Sequence, residues 1–292
     1  MTAVRALLSD IVDYAGLFPP ASLDMATAVQ NYLAYRGETS SWMLGRFVAP
    51  VARLAELRSE LERHSFLEAV AVSATAGIDI EADIVAARAF NRASLGVARV
   101  EVIEARLSTP ESIEGVGRAG RGEFDLFAEV PVDPDPKTLI AAVARAGIAA
   151  KVRTGGTTAD AFPSAANVVR FIRRCLDAGV RFKATAGLHH PVGAEYPLTY
   201  EVGAPKGVMF GYLNVFVTAA LMRNGLSDAD AERVLNERDR SRFEISAETI
   251  EWEGHSLAAD ELRRVRDGFA VSFGSCSFRE PVDEFHAISS LS

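Results

Sequence analysis

The stretch IAAKVRTGGTTADAFPSAANVVRFIRRCLDAGVRFKATAGLHHP, residues 148–191, decides how this chain is read. It predicts a strand, a glycine-rich turn, a helix, a second strand, and a turn of glycine and histidine. Lys151 and Lys183 each interrupt an apolar run. Side chains alternate across a strand, so Lys151 shares a face with Arg153, and Lys183 with Thr185. Neighbouring strands lie about 4.8 Å apart, so adjacency of these two would bring both amines into one small space. Composition sharpens the point. Of 31 Lys plus Arg, only Lys137, Lys151, Lys183 and Lys206 are lysines, so arginine carries the ordinary solvated charge. Of the two cations, only the amine sheds its proton near neutrality and attacks a carbonyl. The plainer alternative is two cations whose stems lie along apolar surface.

The same alternation extends on the N-terminal side. Apolar runs at 42–51, 67–74, 97–105 and 124–132 read as strands. Helical spacing at 22–35, 52–63, 80–93, from Thr109 onward, and at 135–146 separates them. Nearly uninterrupted apolar strands alternating with helices predict a parallel sheet covered on both faces. No glycine-rich phosphate turn follows the first strand, which argues against an open dinucleotide-binding sheet. The expectation is an α/β fold: a parallel (β/α)8 TIM-type barrel in a single domain over 1–292. The alternation stops after His190. Residues 192–267 read as an insertion or lid before a last strand at 269–278, FAVSFGSCSF. Asn214 and Trp252 in the insertion are candidates for that lid. Asp13, Tyr14 and Phe18 in the first turn are candidates to close over the same mouth.

The chain has 292 residues, is 49% hydrophobic and 24% charged, and carries a net charge of −8. That balance argues against nucleic acid as a partner, while a local positive pocket still suits a small anionic substrate. Cys175 and Cys276 are far apart and in no metal-ligand spacing, as expected in a reducing cytoplasm. No apolar run reaches membrane length and the N-terminus lacks a signal core, so no membrane partner is expected and the location reads as cytoplasmic. A homo-oligomer is left open by the sequence.

Three motifs carry a resemblance. KVRTGG at 151–156 resembles the KTSTGF stretch of the deoxyribose-phosphate aldolase family, whose lysine forms the Schiff base. FKATAGL at 182–188 resembles that family's VKAAGGI, which holds a second, pKa-adjusting lysine. FGSCSF at 273–278 resembles its phosphate-binding FGASSL turn. The order is the same, and the spacing between the first two motifs matches. Specific residues match over 148–190 and 269–278, and the rest of 1–190 follows loosely. The resemblance implies a class I, Schiff-base aldolase barrel and places Glu101 where the family has its catalytic aspartate. The chain departs from the pattern in Arg153, in glutamate for aspartate, in His189-His190, and in the long insertion.

These readings predict a carbon–carbon lyase acting on a small anionic carbonyl compound, phosphate or carboxylate, without a cofactor. Lys151 is the nucleophile and Lys183 lowers its proton affinity by like charge, helped by Arg153. Glu101 or Glu129 carries protons. The expected substrate-binding set is Arg153, Thr154, Gly155, Gly156, Thr185, Gly187, His189 and His190, with Gly274, Ser275, Cys276 and Ser277 after the last strand. Glycine turns past strand ends are where barrels build anion cradles. Tight-turn geometry explains the same glycines without a ligand. If Lys183 acts through charge alone, Lys183→Arg should retain function and Lys151→Arg should not. Two alternatives stand beside this. One is metal-dependent hydrolase or lyase chemistry using His189 and His190, although adjacent histidines rarely converge on one ion and no metal site is assigned. The other is a non-catalytic small-molecule-binding barrel.

Overall fold

A computed structural model of the chain describes residues 1–65 and 68–289. Eight parallel strands close into a barrel ringed by helices, the TIM-type (β/α)8 fold. The strands are β1 (Val12–Tyr14), β2 (Leu44–Pro50), β3 (Val70–Thr75), β4 (Ala98–Arg106), β5 (Asp125–Glu129), β6 (Ala149–Arg153), β7 (Phe182–Thr185) and β8 (Ala270–Ser275). Each pairs with its sequence neighbours, and β8 closes on β1 through Val12 opposite Phe273. The strand expected from Leu67 begins at Val70; Leu67 itself lies outside the described residues. The segment before β1 is a short helix, Ala3–Leu8.

Local chemistry sets the helix ends. Asp24, Thr109 and Ser164 each accept a backbone N–H of the first turn, satisfying donors the helix itself leaves unpaired. The helices Lys137–Ala146 and Ala165–Ala178 both end on a left-handed glycine, Gly147 and Gly179, each with φ 64°. In both cases a lysine follows four residues later, in the next strand. The two repeats thus deliver Lys151 and Lys183 to equivalent heights, and they are register partners.

The insertion divides into parts with different positions. A hairpin, Ala194–Pro197 against Lys206–Met209, leans over the C-terminal ends of the strands. The helix Tyr212–Arg223 then takes the place of the barrel helix between β7 and β8, buried from Tyr212 to Met222. It is apolar on all faces because the barrel, the helices Asp228–Leu235 and Ala259–Gly268, and a three-stranded sheet at 243–258 enclose it. That sheet meets the N-terminal helix, where the Ala3 N–H donates to the Ala247 carbonyl at 2.8 Å. The expected lid over 192–267 is therefore corrected: only the hairpin part, with Pro197, Leu198, Thr199, Tyr200 and Met209, reaches the barrel mouth. Asn214 and Trp252 are not lid residues. Asn214 accepts from the N–H groups of Gly193 and Gly211 and donates to the carbonyls of Val234 and Glu237, while Trp252 is buried. No helix among the described residues is long and apolar enough to cross a membrane.

Candidate active site

Register builds the site. Arg106 on β4 is partnered with Glu129 on β5, Glu129 with Lys151 on β6, and Lys151 with Lys183 on β7. Partners in register face the same side of a sheet, so the charges form a row around one sector of the barrel. Glu104, two residues before Arg106 and on the same face, lies within the row's reach. Its Oε2 is 2.6 Å from Lys151 Nζ and its Oε1 is 2.6 Å from Lys183 Nζ. Ser73 Oγ donates to Oε1 as well, at 2.6 Å. Glu129 Oε2 is the second contact of Lys151, at 2.8 Å, and Asp13 Oδ2 the second contact of Lys183, at 2.6 Å. Asp13 is wholly buried, and it also accepts from Ser272 Oγ and from the Arg46 backbone N–H. The first strand and the last thus meet at this carboxylate. Gly45 makes room for it, because a Cβ there would stand 2.6 Å from Asp13 Oδ1.

The electrostatics differ along the row. Burial penalises the Lys183 ammonium, but Asp13 and Glu104 outweigh it and raise its proton affinity above the ordinary lysine value. Burial pushes Glu104 the other way, and the two lysines overcome it, holding this carboxyl well below the usual range. Glu129 is also lowered, with burial opposed by Lys151 and by Arg153 and Arg106. Lys183 is therefore held as a cation, 2% exposed and outside the cavity lining, while Lys151 lines a cavity of about 920 Å³ at the strand ends.

Glu101 does not belong to this arrangement. It falls where the β3–β4 register skips a residue, between the pairs Val72–Val100 and Ser73–Val102. Such a bulge turns a side chain away from its expected place. Glu101 instead pairs with Arg46 at 3.0 Å and does not line the cavity. Glu104 takes the position next to the lysines. Its signal was present in the sequence: it sits nearer the C-terminal end of its strand, where barrels place their chemistry.

The expected cradle is only partly in place. Gly156, Thr185, Gly187, Gly274 and Cys276 line the cavity, and so does Arg153. Thr154 is buried and donates to the Ala186 carbonyl at 2.6 Å, tying two turns together. Gly155 is a packing residue, since a Cβ there would meet Phe162 at 2.5 Å and the Gly187 Cα at 3.0 Å. Ser275 and Ser277 open the helix Arg279–Ser289: Ser277 N–H donates to Ser275 Oγ, and Glu280 N–H donates to Ser277 Oγ. Of the first turn, Phe18 lines the cavity, whereas Asp13 lies inside the barrel and Tyr14 packs outward against Tyr32, Tyr35 and Phe47.

His189 and His190 both line the cavity and each holds a carboxylate. His189 Nδ1 is 2.9 Å from Glu280 Oε2 and its Nε2 is 4.0 Å from Cys276 Sγ; His190 Nδ1 is 2.8 Å from Glu284 and its ring stacks on Tyr196. Tyr200, from the hairpin loop, donates to the same Glu280 oxygen at 2.8 Å. Burial disfavours the His189 imidazolium, yet Cys276 and Glu280 overcome it and raise its pKa to about 10. At His190 burial prevails over Glu284, and the pKa is lowered. Among the described residues no group of three or more His, Cys, Asp or Glu is placed to hold a metal ion. Sequence reasoning missed Glu104, Arg106, Tyr200 and Glu280. The last two come from the insertion and the final helix, whose positions no local pattern reveals.

Fold and site together define a class: a closed parallel (β/α)8 barrel with a buried lysine–carboxylate network opening into a cavity at the C-terminal strand ends. No protein-family model matches the chain, and no curated protein matches it.

Proposed function

We propose that the protein is a Schiff-base carbon–carbon lyase of the aldolase type, acting on a small anionic carbonyl compound. The observation that carries this reading is Lys151. Its amine lies at the cavity floor, in contact with two carboxylates, beside a second lysine that is locked as a cation. The resemblance of KVRTGG, FKATAGL and FGSCSF to deoxyribose-phosphate aldolases points the same way.

The chemistry follows from the contacts. Lys151 passes one proton to Glu129 or Glu104, and the freed Nζ lone pair attacks the substrate carbonyl carbon. The carbonyl oxygen regains protons from the carboxyl and the amine and leaves as water, giving an iminium. The scissile carbon–carbon bond then breaks, its electron pair flowing to the iminium nitrogen to form an enamine. The hydroxyl on the departing carbon yields its proton to a carboxylate and leaves as an aldehyde. Protonation of the enamine and hydrolysis of the imine restore the amine. The Lys183 ammonium, kept charged by Asp13 and Glu104, holds Glu104 in place between the two amines.

Borohydride trapping tests it. Incubation with a panel of small aldehydes and ketones, reduction, and peptide mass mapping should place the adduct on Lys151. Lys151→Ala and Lys151→Arg should take up no label, because a guanidinium stays protonated and forms no imine. Absence of label on every lysine, or label persisting in Lys151→Ala, would refute the reading.

A further inference from the structure

Gly156, Gly187 and Gly274 line the cavity but carry no charge, while Gly155 and Thr154 serve packing and Ser275 and Ser277 serve a helix start. Two guanidiniums offer a better receptor. Arg106 and Arg153 both line the cavity, and both bond through Nε to one oxygen of Glu129, at 2.9 and 3.3 Å. Neither uses its terminal nitrogens on any protein partner among the described residues. A guanidinium held by Nε presents the planar fork that suits a carboxylate. The other oxygen of Glu129 touches Lys151 Nζ, so one carboxylate group and two hydrogen bonds separate each guanidinium from the amine. Arg153 also stands two residues above Lys151 on the same face, roughly 6.6 Å along the strand. An anion gripped there lies next to the carbon that Lys151 attacks.

Charge decides which anion. Lys151, Lys183, Arg106 and Arg153 face Asp13, Glu104 and Glu129, an excess of one positive charge. The nearby His189 imidazolium is matched by Glu280. One carboxylate neutralises this lysine–arginine–carboxylate cluster, whereas a phosphate dianion would overshoot it. Binding at the arginines also withdraws positive charge from Glu129, which makes Glu129 a better acceptor for the Lys151 proton.

We propose that Arg106 and Arg153 form a carboxylate receptor that selects 2-oxo acids, the carboxylate sitting on the carbon adjacent to the carbonyl. This rests on Lys151 as the imine-forming residue. The cleavage substrate is then a 4-hydroxy-2-oxo acid: the imine forms at C2, the C3–C4 bond breaks with its electrons entering the enamine of the shorter 2-oxo acid, and C4 departs as an aldehyde after its hydroxyl proton passes to Glu104 or Glu129.

The probes are pyruvate, its neutral methyl ester, whose carbonyl is intrinsically more reactive, and glycolaldehyde phosphate, each with cyanoborohydride and mass mapping of Lys151. Wild type should be labelled by pyruvate at least tenfold faster than by the ester or the phosphate. The pyruvate-to-ester ratio should fall at least tenfold in Arg106→Gln/Arg153→Gln and recover in part in Arg106→Lys/Arg153→Lys. Thermal unfolding verifies that the variants fold. An unchanged ratio in the glutamine variant, or faster labelling by the phosphate, overturns the proposal. Calorimetry with oxamate, an unreactive carboxylate of the same shape, separates the two readings. Arginine-dependent oxamate binding without any lysine adduct supports the receptor while refuting the imine. Absence of both overturns the two together.

Discussion

Lys183 and His189 show how burial changes what a residue does. Lys183 is 2% exposed, with carboxylate oxygens at 2.6 Å on two sides, so no space remains for the larger, planar guanidinium. Charge alone would let arginine substitute; packing predicts that Lys183→Arg loses most Lys151 trapping as well. Lys183→Met should also cost about 3–5 kcal/mol in urea unfolding, because Asp13 and Glu104 become uncompensated. Wild-type trapping by Lys183→Arg would defeat this account. His189 bears on pH. Its pKa rises from 6.5 to about 10 on folding, so its contribution is complete below about 6.5 and is lost as pH climbs through 10. Glu280 is lowered, so its share is lost instead as pH falls through the carboxylate range. Thermal midpoints measured from pH 6 to 10 should decline in wild type and decline less in His189→Gln. Equal slopes would show that the imidazolium is not held as described.

At the scale of elements, the helix Tyr212–Arg223 is the part most changed by its surroundings. Read from sequence it belongs to an insertion, yet it completes the ring between β7 and β8. Asn214 fixes it there through bonds to two N–H groups before the helix, at Gly193 and Gly211, and to two carbonyls at the end of the next helix, at Val234 and Glu237. Removing one side chain would leave the Gly193 and Gly211 N–H groups without their acceptor and take a donor from the Val234 and Glu237 carbonyls, the former still bonded to the Glu237 N–H. Asn214→Ala should therefore cost on the order of 3 kcal/mol in urea unfolding, since each unsatisfied buried group costs about 1–3 kcal/mol. Trapping at Lys151 should persist under native conditions. A variant with unaltered stability but altered trapping would indicate a lid after all.

At the scale of the whole molecule, closure brings distant ends of the chain together at both ends of the barrel. Near the strand ends that bear the cavity, Asp13 of β1 meets Ser272 of β8 and Lys183 of β7. At the other end Arg266 is buried and donates to four carbonyls: Leu7 and Ser9, and, at the start of β8, Ala270 and Val271. Its guanidinium also stacks over Phe216. Burial lowers its pKa to about 10, against the pull of Asp10 and Asp13. Arg266→Met should destabilise the barrel by on the order of 3 kcal/mol, as those carbonyls lose their donor. Denaturant unfolding followed by tryptophan fluorescence would read this, and a shift below about 0.5 kcal/mol would contradict the role of Arg266 as the tie between the chain's two ends.

The sequence by itself determined the parallel barrel, because apolar strands alternating with capped helices leave few other ways to bury both faces of a sheet. It also determined the pairing of the two lysines, since equivalent helix–glycine–strand units place Lys151 and Lys183 at equal height. Local periodicity carries that information within about thirty residues. Only the tertiary structure decided which carboxylates meet the amines. One skipped residue in the β3–β4 register sends Glu101 to Arg46 and leaves Glu104 between the lysines. Barrel closure brings Asp13 to Lys183 across 170 residues of sequence. Strand pairing sets Arg106 beside Glu129 and, through it, near Lys151. Bulge, closure and register arise from contacts between strands, and no pattern within one strand encodes them.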